Sequence, residues 1–143
     1  MRRLLIAYDG SDHAKRALQY VTDLARDTGM APEVHLVNVH HEPVIYGEYF
    51  TAVMYDELNK SLIAKGHTVL DEAAAVLQAA SLKVETHVLI GNVAEQIADA
   101  VKRLGCDTVV MGTRGLGSFT GLVMGSVANR VIHEVSVPVL LVK

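Results

Sequence analysis

The residues best equipped for chemistry in this chain are those that strip side chains from the backbone. Gly112-Thr113-Arg114-Gly115-Leu116-Gly117-Ser118 is followed, after nine positions beyond Gly115, by Gly125-Ser126. The stretch lies between two apolar segments, Asp107 to Met111 and Val137 to Val142, so it occupies a strand-to-helix connection. Glycine admits positive φ and lets an oxyanion approach main-chain N–H groups with no Cβ in the way; a helix N-terminus adds unpartnered donors and a favourable dipole. The stretch is therefore predicted to hold phosphate, as a nucleotide would present it. A second loaded segment, Asp9-Gly10-Ser11-Asp12, follows the apolar run Leu4 to Tyr8. Asp9 is suited to accept hydrogen bonds from a ribose hydroxyl, to hold a metal near phosphate, or to close an Asx turn at the start of a helix. The residues alone leave those roles open.

These segments have to be positioned by the elements around them. Leu4 to Tyr8 is a continuous apolar run of the kind found in strands covered on both faces. Ala14, Ala17, Leu18, Val21, Leu24 and Ala25 then recur at helical spacing until Gly29. Val34 to Val39 reads as a second strand, and His40 to Tyr55, with Pro43 and Gly47, as a long irregular excursion that includes Tyr46, Tyr49 and Phe50. A second helix carries Leu58, Leu62, Val69, Ala73, Val76, Leu77 and Ala80 on one face, with Gly66 predicted to weaken its middle. Val84 to Ile90 alternates enough to suggest a strand at a sheet edge. Gly91-Asn92 opens a third helix with Val93, Ile97, Ala98, Val101 and Leu104 on its buried stripe. Asp107 to Met111, Ser126 to Glu134 and Val137 to Val142 complete the alternation as strand, helix and strand. This is the pattern of one α/β domain over residues 1–143, with a parallel sheet and right-handed crossovers. In such a sheet a ligand crevice lies beyond the carboxyl ends of the strands, where the strand order reverses. If the first and fourth strands are neighbours, Asp9 meets the glycine stretch there. Pro138 requires the last strand to start at it or to run along an edge, and its residues are apolar on both faces, so a second copy of the chain is expected to cover it, coverage by the chain's own helices being the alternative.

Composition excludes several classes. Of 143 residues half are apolar and a fifth charged, and a net charge of −3 with a pI near 6.1 argues against a polynucleotide footprint. No apolar run reaches the roughly 18 residues of a membrane span, and no export signal precedes the first strand, so the expected location is the cytoplasm. The lone cysteine, Cys106, reads as a small buried side chain. Seven histidines invite a zinc reading, but His40 and His41 point apart on an extended segment, and His13, His35, His67, His87 and His133 fall on different elements, so no structural zinc site is expected. Neither the Walker A spacing nor Gly-x-Gly-x-x-Gly is satisfied: no lysine precedes Ser126, and Gly121 falls one residue too far beyond Gly117.

Taken together, Gly112-x2-Gly115-x9-Gly125-Ser126, the following Val127-Ala128-Asn129-Arg130-Val131, the terminal Val137-Pro138-Val139-Leu140-Leu141-Val142 and the opening Ile6-Ala7-Tyr8-Asp9-Gly10-Ser11 resemble the nucleotide-binding branch of the universal stress protein family over essentially the whole chain. The resemblance implies an open five-stranded parallel sheet in the order 3-2-1-4-5 with helices on both faces, and a homodimer paired through the last strand. It implies that Ala7, Tyr8 and Asp9 line the adenine and ribose end, with Val39 beside the base. Met111, Gly112, Gly115, Gly125, Ser126 and Val127 would flank ribose and phosphates. Tyr8 is bulkier than the residue usual at its position. Arg114 is suited either to pair with a terminal phosphate or to stand solvated. The ligand implied is ATP with magnesium or manganese, Asp9 being the candidate metal contact.

The resulting expectation is a cytoplasmic ATP-binding protein that couples nucleotide occupancy to dimer conformation or to the choice of client proteins in a stress response. Only Asp9, Arg114 and Ser126 stand around the loop as reactive groups, so at most slow hydrolysis is expected. An ATPase or adenylyl-transferring enzyme and a nucleotide-free interaction protein are the alternatives.

Overall fold

Five strands alternate with four helices in the computed structural model, which describes residues 1–43, 47, 51–115 and 124–143. They are β1 (Arg3–Ala7), α1 (Asp12–Thr28), β2 (Glu33–His40), α2 (Ala52–Ala79), β3 (Val84–Ile90), α3 (Val93–Leu104), β4 (Thr108–Gly112), α4 (Ser126–Glu134) and β5 (Val139–Val142). All strand pairs are parallel and the order is β3-β2-β1-β4-β5, so the direction of winding reverses between β1 and β4. Leu4, Leu5 and Ile6 of the central strand are fully buried, as a run apolar on both faces requires, and each contributes about 1.5–3 kcal/mol of burial. Leu4 and Ile6 face a core shared with α1 and α2; Leu5 faces one built with α3 and α4.

Local chemistry sets most element ends. Ser11 caps α1 by accepting from the Ala14 amide at 3.2 Å, and Gly29 ends it at φ 70°. Asn92 caps α3 in the same way through the Glu95 amide. β5 begins only after Pro138, whose ring nitrogen has no proton for the ladder, so the strand is shorter than its apolar run. Both outer strands are only half-buried: β3, as its alternation predicted, and β5, whose Leu140 and Val142 pack on one core and Val139 and Leu141 on the other.

Three sequence expectations need correction. The irregular excursion stops at Thr51, not Tyr55, because the Thr51 hydroxyl accepts from the Met54 amide and starts α2 at Ala52. The first turns of that helix stand clear of the core: Val53 is 67% and Met54 47% exposed. Tyr46, Tyr49 and Phe50 lie outside the described residues. Gly66 is no weak point of α2 but its closest approach to the sheet; a Cβ there would lie 2.7 Å from Val88 Cγ1. The stripe is accordingly Gly66, Leu70, Ala73, Ala74 and Leu77, while Leu58 and Val76 are exposed.

The third correction concerns the histidines. Parallel pairing of His35 with Glu85 and of Val37 with His87 brings two rings scattered in sequence to one face, with His35 Nδ1 and His87 Nε2 3.0 Å apart. Burial holds the His87 ring below the usual histidine range. Cys106 is buried as expected, and burial pushes its thiol up to about 11.

Candidate functional site

The reversal between β1 and β4 leaves a cavity of about 530 Å³ beyond their carboxyl ends. Ala7, Tyr8, Asp9, Val39, Met111, Gly112, Arg114, Gly115, Gly125, Ser126 and Val127, the residues singled out in the sequence, all stand on its wall. Residues 116–123 of the glycine stretch, Gly117, Ser118 and Gly121 among them, lie outside the described residues.

Four helices begin in this fold, and three begin under a side-chain cap: Ser11, Thr51 and Asn92. α4 is the exception. Its cap position is Gly125, which offers no side-chain acceptor, and the amides of Ser126, Val127 and Ala128 are those that a helix leaves without intrahelical partners. All four residues line the cavity, so the positive end of the α4 dipole opens on it. The Gly125 amide is itself consumed, donating to the Thr113 carbonyl at 2.7 Å and closing the loop on itself.

Glycine serves close approach in this loop. Gly112, Gly115 and Gly125 all lie outside the left-handed region; Gly125 has φ −60°. At Gly112 a Cβ would fall 2.6 Å from His13 Cβ and 2.8 Å from the His13 carbonyl carbon, so that glycine seats α1 against the end of β4. The Thr113 hydroxyl and His13 Nδ1, 3.2 Å apart, tie the same junction. At Gly115 a Cβ would collide with Asp9 Oδ2, the end of a side chain, so glycine lets the loop after β4 meet the acidic loop after β1 without displacing that carboxylate. The positive φ is instead at Gly10, at 80°, where the chain turns from β1 into α1.

Asp9 makes the Asx turn, its Oδ1 accepting from the Ser11 amide at 2.9 Å, while Oδ2 faces Gly115. One carboxylate therefore both shapes its own loop and reaches the neighbouring one. Tyr8 belongs to the core between the sheet, α1 and α2 and is 6% exposed, so its bulk is absorbed by packing. Burial, then Glu72 and Asp9, push its phenol above the usual range, which keeps it neutral.

Several wall residues were not foreseen: Asn38, His40, His41 and Lys65. Asn38 Nδ2 donates to the Tyr8 carbonyl at 2.9 Å and so bridges β2 to the end of β1. Its Oδ1 and the Nε2 of His40 are buried with no hydrogen-bond partner among the described residues. Burial and then Lys65 hold His40 below the usual histidine range. Asn38 is one of four polar residues in β2, with Glu33, His35 and His40, so its sequence position alone did not mark it. Lys65 carried no signal either, because its place depends on how α2 crosses the sheet. Among the described wall residues Asp9 is the one carboxylate, against the two permanent cations Lys65 and Arg114. The cavity thus combines an excess of positive charge with open helix amides, which suits an anion.

Comparison with known proteins identifies the family and the fold. The sequence profile described as the universal stress protein family matches residues 1–143. A curated relative, the universal stress protein in the QAH/OAS sulfhydrylase 3′ region of Thermus aquaticus, is 36% identical over 143 residues, covering 99% of this chain and 98% of its own. Among solved structures, hypothetical protein MJ0577, from Methanocaldococcus jannaschii, superposes with a TM-score of 0.85 at 28% identity, covering 99% of this chain and 95% of that one. A universal stress protein from Archaeoglobus fulgidus, solved in complex with dAMP, has the same fold at a TM-score of 0.63 and 23% identity, covering 100% of this chain and 98% of that one.

Proposed function

Since this chain belongs to the universal stress protein family, we propose that its strand-end cavity binds an adenine nucleotide, ATP in particular, and that occupancy regulates a homodimer in the cytoplasm. The uncapped start of α4, opening on the cavity that Asp9 also lines, carries the reading. Phosphates at that helix end would take the Ser126, Val127 and Ala128 amides, with Arg114 as a charged partner. Asp9 serves the ribose, and Val39 on the cavity wall stands beside the base. The dAMP complex of the Archaeoglobus fulgidus relative supports an adenine ligand for this fold.

The donor set also fits a magnesium or manganese ion carried by the nucleotide. Such an ion keeps most of its waters and needs one or two carboxylates, and Asp9 supplies one. It would neutralise phosphate charge. The protein residues supply binding and orientation but little else; hydrolysis is slow at most and the role regulatory. The second subunit would add its β5 edge to the apolar β5 edge here, through the Val137 to Val142 segment.

Calorimetric titration with ATP and AMP tests the reading. Gly115→Val would drive a branched side chain into the Asp9 carboxylate and the phosphate approach, and affinity should fall about tenfold or more, equivalent to ~1.4 kcal/mol. The change touches a side-chain end on an exposed loop, so folding should be kept. Unchanged affinity in the variant would remove the loop from the site. Mass spectrometry of ligand released from the purified, denatured protein separates ATP binding from AMP-producing chemistry and from an empty site.

A further inference from the structure

His35 and His87 are 52 residues apart in sequence, and parallel pairing of β2 with the edge strand β3 aims their rings at one another, Nδ1 to Nε2, at 3.0 Å. Two ring nitrogens that close share either a proton or a metal ion. A third donor stands with them. Glu85, opposite His35 in the ladder, places Oε2 3.8 Å from His35 Nδ1 and Oε1 3.6 Å from His87 Nε2. All three ligand atoms lie within 4.8 Å of one another.

We propose that His35 Nδ1, His87 Nε2 and the Glu85 carboxylate form a site for one late first-row divalent cation, of the zinc, nickel or copper kind, bound independently of nucleotide.

Metal–imidazole bonds of about 2.0–2.1 Å turn the 3.0 Å separation into an N–metal–N angle of roughly 90°. Such an angle belongs to a tetragonal or five-coordinate centre without movement, and a few tenths of an ångström of ring motion reaches a tetrahedral one. The carboxylate must close on both nitrogens, since its 3.8 and 3.6 Å approaches are made by different oxygens, and the Glu85 side chain, 60% exposed on the edge strand, is free to swing. The remaining coordination positions would be filled by water.

The tautomer required is the one the surroundings favour. His35 is 3% exposed, and its far nitrogen, Nε2, lies 3.4 Å from Glu33 Oε1. At that distance the two groups make no hydrogen bond, but the negative charge of Glu33 favours the ring proton on Nε2 electrostatically, which leaves the Nδ1 lone pair for the ion. Glu33 is held in turn by Arg3 Nη2 at 3.6 Å and Lys83 Nζ at 3.8 Å, both on Oε2. Glu33 is thus a positioning residue and the other three are ligands. Bound metal would pin the edge strand to its neighbour.

Cobalt(II) and zinc(II) chloride are the probes, titrated into nucleotide-free protein. Expected are one equivalent per chain, a cobalt ligand-field spectrum with imidazole character, and a thermal midpoint raised by zinc. His87→Gln should weaken binding about tenfold or more and abolish the midpoint shift, and Glu85→Gln, at an exposed position that cannot compromise folding, should weaken it severalfold. Asp9→Asn should leave it unchanged. No binding at about 100 µM metal, equal binding by the His87→Gln protein, or loss of binding in Asp9→Asn would each overturn the assignment.

Discussion

At the carboxyl ends of β1 and β4 the chain exposes backbone, glycine and small side chains, whereas toward the amino ends of β2 and β3 it presents two imidazoles and a carboxylate. The first region makes a large cavity whose donors are main-chain amides and whose specificity follows from what has been left out. The second makes a small cluster whose donors are side-chain atoms within 4.8 Å of each other. A site made of amides tolerates almost any side chain that stays out of the way and fails when a Cβ is added. A site made of side-chain nitrogens fails when one of them is removed. The two regions share no ligand residue, so each can be damaged alone.

The largest effect should come where glycine is structural rather than merely permissive. Gly112→Val would force a branched side chain against the His13 backbone, in a fully packed junction, and cost about 3 kcal/mol in denaturant unfolding. A cost near zero would mean that α1 is not seated on β4 as described. Next comes the thiol nearest the second region. With Cys106 pushed up to about 11, alkylation of the native protein at neutral pH should run about a hundredfold slower than that of the unfolded chain. Cys106→Ala should leave cobalt binding intact, because the donors there are nitrogen and oxygen; a change in the cobalt spectrum would bring sulfur into the cluster. The smallest effect is the sharpest comparison. In the double variant Gly115→Val/His87→Gln, losses of nucleotide and metal affinity should add to within about 0.5 kcal/mol of the single variants. A larger coupling would show that the two regions act as one.

The contrast also explains what could be read in advance. The glycine stretch is contiguous and its spacing survives in one dimension; so do the caps Ser11 and Asn92, the terminator Gly29 and the apolar run of β1. The start of α2 was misplaced because its first turns are exposed and only the Thr51 cap marks its beginning, and Gly66 was misjudged because a close approach to Val88 is invisible to helix propensity. Asn38 and Lys65 joined the cavity wall unforeseen, since each depends on packing between elements far apart in the chain.

By itself the sequence determined the alternation of strands and helices, the buried central strand and the glycine-rich loop, because each is written in local patterns of size, polarity and backbone freedom. Only the tertiary structure decided which glycines exist for close approach, where Asp9 stands relative to Gly115, and that His35 meets His87. Those relations follow from strand order and register, and a shift of one residue along β3 would turn His87 to the opposite face and dissolve the cluster.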